Sequence, residues 1–192
     1  ASPSGVAKVF DLNLADKLSA AAARAGSEWF ERRNKSATRG TNVHEKGLEE
    51  LASGNVPSLA DVEEDERGFA QGVIAWWADT KPEPIASEFV VYSATHGYAG
   101  RVDLLALIDG KRTIVDLKTG YIGISAHGQL AGYELAAEES GYGPIEAKGL
   151  LKVTDEGTYM PLIEGLIAPE SFASAVAFYR EAKQYGRAVD AQ

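Results

Sequence analysis

The segment from Gly100 to Thr119, GRVDLLALIDGKRTIVDLKT, constrains the fold of this chain more than any other stretch. Two apolar runs flank Asp109-Gly110, a dipeptide that strongly favours a two-residue hairpin turn. Pairing the residues on either side of that turn and counting outward places Asp103 opposite Asp116, with Lys118 two residues further along the same face. The segment therefore predicts a β-hairpin with an acidic residue on each strand.

Two opposed carboxylates on one face of a sheet, about 5 Å apart at Cβ, repel each other and destabilise the pairing. A divalent cation between them, a nearby lysine or protonation of one acid would each offset that repulsion. The prediction depends on the turn, because a slip of one residue would move one aspartate to the other face.

Composition sets the broad class of protein. The 192 residues are enough for one domain with a full core, and 45% hydrophobic and 24% charged residues are ordinary globular values. The absence of cysteine excludes disulfides, a cysteine zinc site and an iron–sulfur cluster. A net charge of -9 argues against a surface that binds nucleic acid indiscriminately. No apolar run approaches the length of a membrane span.

The N-terminal part predicts one helix and one basic segment. Apolar residues recur at helical spacing from Asp16 to Arg32 and indicate a packing helix. Between residues 32 and 46 a single acid stands against five basic residues, which are Arg32, Arg33, Lys35, Arg39 and Lys46. A solvated helix end and loop, or a strip that contacts phosphates, would each explain this charge.

A second helix carries a histidine on its apolar face. Asn42 and Glu45 have the spacing of a capping box that opens this helix. His44, Leu48 and Leu51 follow at i, i+4 and i+7, so His44 points toward the core. A histidine there is either a hydrogen-bonded partner of a core polar group or a metal ligand.

A third helix is predicted from the capping pattern of Asp61 and Glu64 to about Asp79, where Lys81-Pro82-Glu83-Pro84 stops it. Its apolar side is an aromatic stripe typical of a core, comprising Phe69, Val73, Trp76 and Trp77. A strand from Ile85 to Tyr92 follows and is predicted to alternate strictly. One face then holds Glu88, Val90 and Tyr92, and the other holds Ser87, Phe89 and Val91. If this strand lies beside the hairpin, Glu88 joins the two aspartates.

Ser125 is predicted to cap a helix that runs to about Glu139, with Gly141 beyond its end. Gln129 and Tyr133 share one face of this helix. The remaining pattern predicts a final hairpin and a terminal helix from about Glu170 to Tyr185. The hairpin pairs Ala147 to Val153 with Thr158 to Ile163 around Asp155-Glu156-Gly157, and the helix buries Phe172, Val176 and Tyr179. This order of elements predicts an α/β or α+β fold, a small mixed β-sheet flanked by helices.

Several chemistries are excluded by missing motifs. The chain has no phosphate-binding loop of the G-x-x-x-x-G-K-[ST] type, no second histidine for a zinc-protease helix, and no G-x-S-x-G elbow. What remains is a carboxylate cluster with one lysine. Hard oxygen ligands suit Mg²⁺ or Mn²⁺, and such an ion supports phosphodiester hydrolysis.

Four motifs occur in order between Arg39 and Tyr133, namely RGTNVHEKGL, GRVDLL, VDLKTG and QLAGY. Together with Glu88 they resemble the PD-(D/E)xK nuclease superfamily, in particular its RecB-like branch, which includes small phage exonucleases and the CRISPR-adaptation nucleases. The resemblance implies a restriction-endonuclease-like fold in a single nuclease domain, 1–192. N-terminal helices would occupy 1–80, the catalytic αβββαβ core about 40–165, and a C-terminal helix about 170–188. Many relatives hold an iron–sulfur cluster, which a chain without cysteine cannot.

The resemblance also implies a role for each motif residue. The catalytic residues would be Asp103, Asp116, Lys118 and Glu88, with Lys118 acting on the attacking water. One or two Mg²⁺ or Mn²⁺ ions would be bound by His44, Asp103, Asp116, the backbone carbonyl of Leu117, and Glu88. Gln129 and Tyr133 would contact DNA or orient the site, and Arg32, Arg33, Lys35 and Arg39 are the candidate phosphate contacts. No nucleotide cofactor is expected.

We therefore expect a metal-dependent deoxyribonuclease that acts on DNA ends in recombination, repair or phage DNA processing. Two alternatives stay open: a nuclease subunit of a larger repair complex, and a non-cleaving nucleic-acid-binding module that kept the fold. The expected partners are single- or double-stranded DNA and a recombination or repair protein, without a membrane, and an oligomer is compatible with the sequence. The expected location is the cytoplasm, that of the host if a phage encodes the chain.

Overall fold

The computed structural model describes residues 42–190, with the side chains of residues 45, 46, 183 and 185–190 left out. The predicted helix from Asp16 to Arg32 lies outside the described residues. So do the four candidate phosphate contacts at positions 32, 33, 35 and 39 and the side chain of Lys46.

The described residues form helices and strands in the predicted order. Helix α1 joins a π-helical segment, His44–Glu49, to an α-helical segment, Glu50–Ala52. A short 3₁₀ turn at Leu59–Asp61 follows. The remaining helices are α2 (Arg67–Thr80), α3 (Ile124–Glu139) and α4 (Pro169–Asp190), and the strands are β1 (Glu83–Ser93), β2 (Tyr98–Ile108), β3 (Lys111–Lys118), β4 (Ala147–Lys152) and β5 (Ile163–Glu164).

The strands form one mixed sheet in the order β1-β2-β3-β4-β5. Strands β3 and β4 are parallel and are connected through α3, while the other neighbours are antiparallel. A five-stranded mixed sheet flanked by helices confirms the predicted fold class. None of the helices within residues 42–190 is both long enough and apolar enough to cross a membrane.

Each face of the sheet packs against its own helices. On one face, Ile114 and Leu150 join Leu130 of α3 and Phe172 of α4 in a buried cluster. On the other face, the buried residues of α1 and α2 pack against β2, β3 and β4. They include Leu48, Phe69, Val73, Trp76, Leu104, Leu117 and Leu151. The aromatic stripe of α2 and the apolar side of α4 are therefore core, as predicted.

The central hairpin has the predicted register. Ile108 pairs with Lys111, and the pairing continues to Leu104 and Val115, one residue short of the two aspartates. Asp109 and Gly110 have φ angles of 50° and 75°, both positive as a type I′ turn requires. The turn chemistry therefore fixes which residues of β2 and β3 face each other.

Strand β1 departs from strict alternation at Glu88. Phe89 pairs with Val102, which packs toward α3 and α4, whereas Ser87 pairs with Leu104, which packs toward α1 and α2. Since paired residues share a face, Ser87 and Phe89 lie on opposite faces, and the prediction that they share one is wrong. Val102 and Leu104, two residues apart on β2, also lie on opposite faces, so both strands turn over here. On β1 the reversal coincides with the left-handed φ of 46° at Glu88.

Three predicted caps are wrong, because none of the three residues stands at the N-cap of its helix. The amide of Asn42 donates to the carboxylate of Glu66, at 2.9 and 3.1 Å, and residue 42 is already helical. Helix α2 begins at Arg67 and not near Asp61, and Arg67 Nε donates to the carbonyls of Leu59 and Val62. Gly123 precedes α3, so Ser125 is its second residue.

The last predicted hairpin forms only in part. Gly157 has a φ of 81° in the predicted turn, and Val153 and Tyr159 form an isolated bridge. The return strand is limited to Ile163–Glu164, which pairs with β4 at Leu150 and Gly149. The predicted strand from Thr158 to Ile163 is therefore wrong over most of its length.

Candidate active site

The candidate site lies where β2 and β3 separate. Their pairing ends at Leu104 and Val115, and the backbone of Leu117 bonds to side chains in place of a strand. Leu117 N–H donates to Asp103 Oδ2 at 2.7 Å, and the Leu117 carbonyl lies 3.1 Å from His44 Nε2. Asp103 and His44, both predicted metal ligands, thus bond to the Leu117 backbone where β2 would otherwise continue.

Three side chains from three elements converge beside this gap. His44 Nδ1 lies 3.3 Å from Asp103 Oδ2 and 3.5 Å from Glu88 Oε1. One ligand atom from each residue lies within 4.8 Å of the other two, a spacing that can hold one metal ion. His44 begins the π-helical turn of α1, and single π-helical turns are frequent at functional sites.

Two carboxylate oxygens at the site fit a cation. Glu88 Oε1 and Asp116 Oδ2 are buried and accept no hydrogen bond from residues 42–190; each faces a cationic group instead, His44 Nδ1 at 3.5 Å and Lys118 Nζ at 2.5 Å. Burying an anionic oxygen in this way is unfavourable unless a positive charge faces it. Together with the imidazole of His44, these hard oxygen donors suit Mg²⁺ or Mn²⁺.

His44 is itself a cation in the absence of metal. Burial alone would lower its pKa, but the carboxylates of Asp103 and Glu88 raise it to about 10. Coordination requires a neutral imidazole, so His44 must release a proton when it binds a metal.

Asp116 and Lys118 form a buried ion pair. Lys118 Nζ lies 2.5 Å from Asp116 Oδ2, off the direction of a hydrogen bond. Burial raises the pKa of Asp116 to about 6, and the attraction of Lys118 only partly opposes this. For Lys118, burial acts to lower the pKa, but Asp116 and Asp103 outweigh it and the net shift is upward. The pKa values of both groups are thus raised above their ordinary values, and Lys118 is a cation at neutral pH.

Helix α3 extends this pair into a network. Lys118 Nζ donates to Gln129 Oε1 at 3.4 Å, and Gln129 Nε2 donates to Tyr133 Oη at 2.6 Å. Burial, with Asp116 and Asp103 adding to it, raises the pKa of Tyr133, so its hydroxyl stays protonated. The predicted shared face of Gln129 and Tyr133 therefore points at the end of β3.

The structure brings together the eight predicted site residues that it describes, which are His44, Glu88, Asp103, Asp116, Leu117, Lys118, Gln129 and Tyr133. Asp116 contacts Lys118 and lies outside the closely spaced group of His44, Glu88 and Asp103. A cavity of about 530 Å³ lies at the other end of β3, near Lys111 and Thr113, and none of these eight residues lines it.

Sequence reasoning missed two basic residues near the site. Arg101 Nη1 lies 3.7 Å from Glu88 Oε2. The sequence could have indicated Arg101, because it precedes Asp103 by two residues on the same predicted strand. Lys152 pairs with Lys118 across β3 and β4, and its Nζ donates to the carbonyls of Thr119 and Gly120 at 3.0 and 2.5 Å. No local pattern marks Lys152, because its position depends on the register of two parallel strands.

A scan against protein-family models finds no match, and a search of the curated proteins finds none either. The resemblance to PD-(D/E)xK nucleases therefore stays a prediction from the motifs.

Proposed function

We propose that this protein is a metal-dependent deoxyribonuclease with a PD-(D/E)xK site, acting on DNA ends. The observation that carries the proposal is the convergence of His44, Glu88 and Asp103 at one spot beside Asp116 and Lys118. The acids of this site stay buried beside positive charge: Glu88 Oε1 faces His44 and Asp116 Oδ2 faces Lys118, and within residues 42–190 neither oxygen accepts a hydrogen bond.

His44, Glu88 and Asp103 would hold Mg²⁺ or Mn²⁺, with Asp116 and the Leu117 carbonyl alongside, and the ion would supply an activated water and neutralise phosphate charge. Asp103 also fixes the end of β3, because it accepts the Leu117 N–H. The same carboxylate thus has a structural partner and lies within ligand distance of the other members of the group.

Lys118 donates hydrogen bonds in this proposal and does not accept a proton. In hydrolysis the attacking water loses a proton to solvent and its oxygen bonds to phosphorus, and negative charge grows on the phosphoryl oxygens. The bond to the leaving oxygen then breaks, and that oxygen takes up a proton from solvent. A protonated Lys118 stabilises that charge or holds the attacking water. Asp116 and Gln129 keep its ammonium group at the end of β3.

Action on DNA ends is preferred to recognition of an internal sequence. Reading base edges would need an added recognition element in a groove. The strands and helices of residues 42–190 are taken up by the sheet and the two cores that cover it.

The test is digestion of end-labelled linear DNA in Mn²⁺ or Mg²⁺ by the parent protein and by Asp116→Ala and Lys118→Ala. Each substitution should lower the rate by at least about 100-fold, the usual effect of removing one charge-stabilising group. Lys111→Ala is the matched control, because Lys111 is an exposed lysine at the opposite end of the same strand. It should cleave like the parent.

Undiminished hydrolysis by both site variants would show the mechanism to be wrong. A parent protein that neither hydrolyses DNA nor binds Mn²⁺ in calorimetry would indicate the non-cleaving module. Activity on linear DNA but not on closed circles would separate an exonuclease from an endonuclease.

A further inference from the structure

The β1–β2 hairpin extends beyond the candidate site, and one of its faces is exposed in the part of the chain that the structure describes. Val90, Tyr92, Ala99 and Arg101 form this face. We call it the outer hairpin face. Val90 is 65% exposed, Tyr92 58%, and the side chain of Arg101 67%. The opposite face of the hairpin packs against α3 and α4 through residues such as Val91 and Val102.

The outer hairpin face is continuous with the carboxylates. Val90 pairs with Arg101 and Tyr92 pairs with Ala99, and Arg101 reaches back to 3.7 Å from Glu88 Oε2. Tyr92 is four residues beyond Glu88, a distance of about 13 Å along an extended strand. Ser140 Oγ accepts the Tyr92 N–H at 3.0 Å, which fixes the backbone there.

A second exposed tyrosine follows the other side of the site. Tyr121 is 94% exposed and is three residues beyond Lys118. Lys152 holds the intervening loop through the carbonyls of Thr119 and Gly120. The ring lies over Gly123, where an added Cβ would be 3.3 Å from Tyr121 Cε1.

Both tyrosines follow the row of carboxylates in the same direction. Strands β1 and β3 are each antiparallel to β2, so they run in parallel, about 10 Å apart. If the β1–β2 and β2–β3 registers are continued, Asp103 on β2 lies opposite Glu88 on β1 and opposite Asp116 on β3. Tyr92 and Tyr121 therefore both lie beyond the carboxylates in the strand direction, Tyr92 on the outer hairpin face and Tyr121 beside the start of α3.

We propose that Tyr92 and Tyr121 stack on unpaired bases of single-stranded DNA and that Arg101 contacts its phosphates. This inference rests on the proposed function and names its substrate. Exposed aromatic rings beside a cationic side chain are the elements with which proteins bind single strands without reading sequence. Bases in a duplex are already stacked on each other, so duplex DNA gains nothing from these rings.

The test measures binding of the full chain without metal, in a chelator, so that no cleavage intervenes. Fluorescence anisotropy would follow a labelled single-stranded oligodeoxythymidylate and a blunt duplex. Tyr92→Ala and Tyr121→Ala should each weaken single-strand binding roughly 5- to 150-fold, the range for loss of one stacked base. Duplex binding should stay as in the parent.

Phenylalanine variants separate stacking from hydrogen bonding, and Tyr92→Phe and Tyr121→Phe should bind like the parent. Arg101→Ala should reduce the slope of log Kd against log salt by about 0.7, the value for one phosphate contact on a single strand. Phe178→Ala is the matched control, since Phe178 is an equally exposed aromatic residue on α4, which carries none of the site residues. Its binding should not change.

Single-strand binding that survives both alanine substitutions would overturn the inference, and so would an equal loss of duplex binding. A parent protein that digests duplex ends but does not bind the oligodeoxythymidylate would overturn this inference alone. Tyrosine-dependent binding without any hydrolysis would instead sink the proposed nuclease while leaving the stacking surface supported.

Discussion

At Glu88 the chain adopts a φ of 46° in the middle of a strand. A residue with a Cβ pays about 1–2 kcal/mol for a left-handed backbone, and such strained residues cluster at functional sites. Pairing of Ser87 and Phe89 with β2 holds the backbone on both sides. The strain has a consequence for the site, because turning the strand over at this residue places the carboxylate beside His44 and Asp103.

Replacement of Glu88 by glycine or by alanine separates this strain from the carboxylate. Both variants lose the side chain, but only glycine adopts a positive φ freely, so Glu88→Gly should be the more stable by about 1 kcal/mol in urea unfolding. At Val90, where the structure records no positive φ, the order should reverse. Equal stability of the two Glu88 variants would argue against a strained backbone.

At the scale of elements, the β2–β3 turn determines the site geometry. Gly110 has a φ of 75° and open space around it, so a side chain there would be strained by the backbone alone. Gly110→Ala should lower the free energy of unfolding by about 1 kcal/mol. Gly120 has the same open surroundings without a positive φ, and Gly120→Ala should stay within about 0.5 kcal/mol of the parent. Similar losses from both substitutions would mean that the turn is not the cause.

Two short-range rules led to correct predictions, those for the turn and for one helix face. The Asp109-Gly110 turn and period-two counting identified the register that leads to Asp103 and Asp116, and the i, i+4 rule placed Gln129 with Tyr133. The predicted helix caps were wrong. At Asn42 the side-chain amide donates to Glu66, which is distant in the sequence. The reversal at Glu88 has no local signal either.

For the whole molecule, ionised Asp116 reduces the stability of the metal-free protein at neutral pH. Asp116 is buried, and its pKa of about 6 lies above the value of about 3.9 for an unfolded chain. Its contribution to stability is therefore full below about pH 4 and is lost as the pH rises through about 6. Above that pH, the folded protein carries an unfavourable buried charge.

Asp116→Asn should therefore stabilise the metal-free protein at neutral pH, by up to about 3 kcal/mol, while removing activity. Denaturant unfolding at several pH values would show the gain appearing between about pH 4 and pH 6. Asp109→Asn is the control, because it removes the same charge from an exposed turn position that accepts asparagine. A variant that is less stable than the parent at pH 7 would contradict the assignment of a buried, unfavourable charge.

The Leu117 N–H, which donates to Asp103 in place of a strand partner, makes one backbone amide a reporter for the whole site. Its proton resonance senses the carboxylate directly, whereas the amides of the neighbouring residues belong to the β3–β4 pairing. Occupancy of the site can therefore be followed by NMR from a single peak, without a substrate and without changing any side chain of the site.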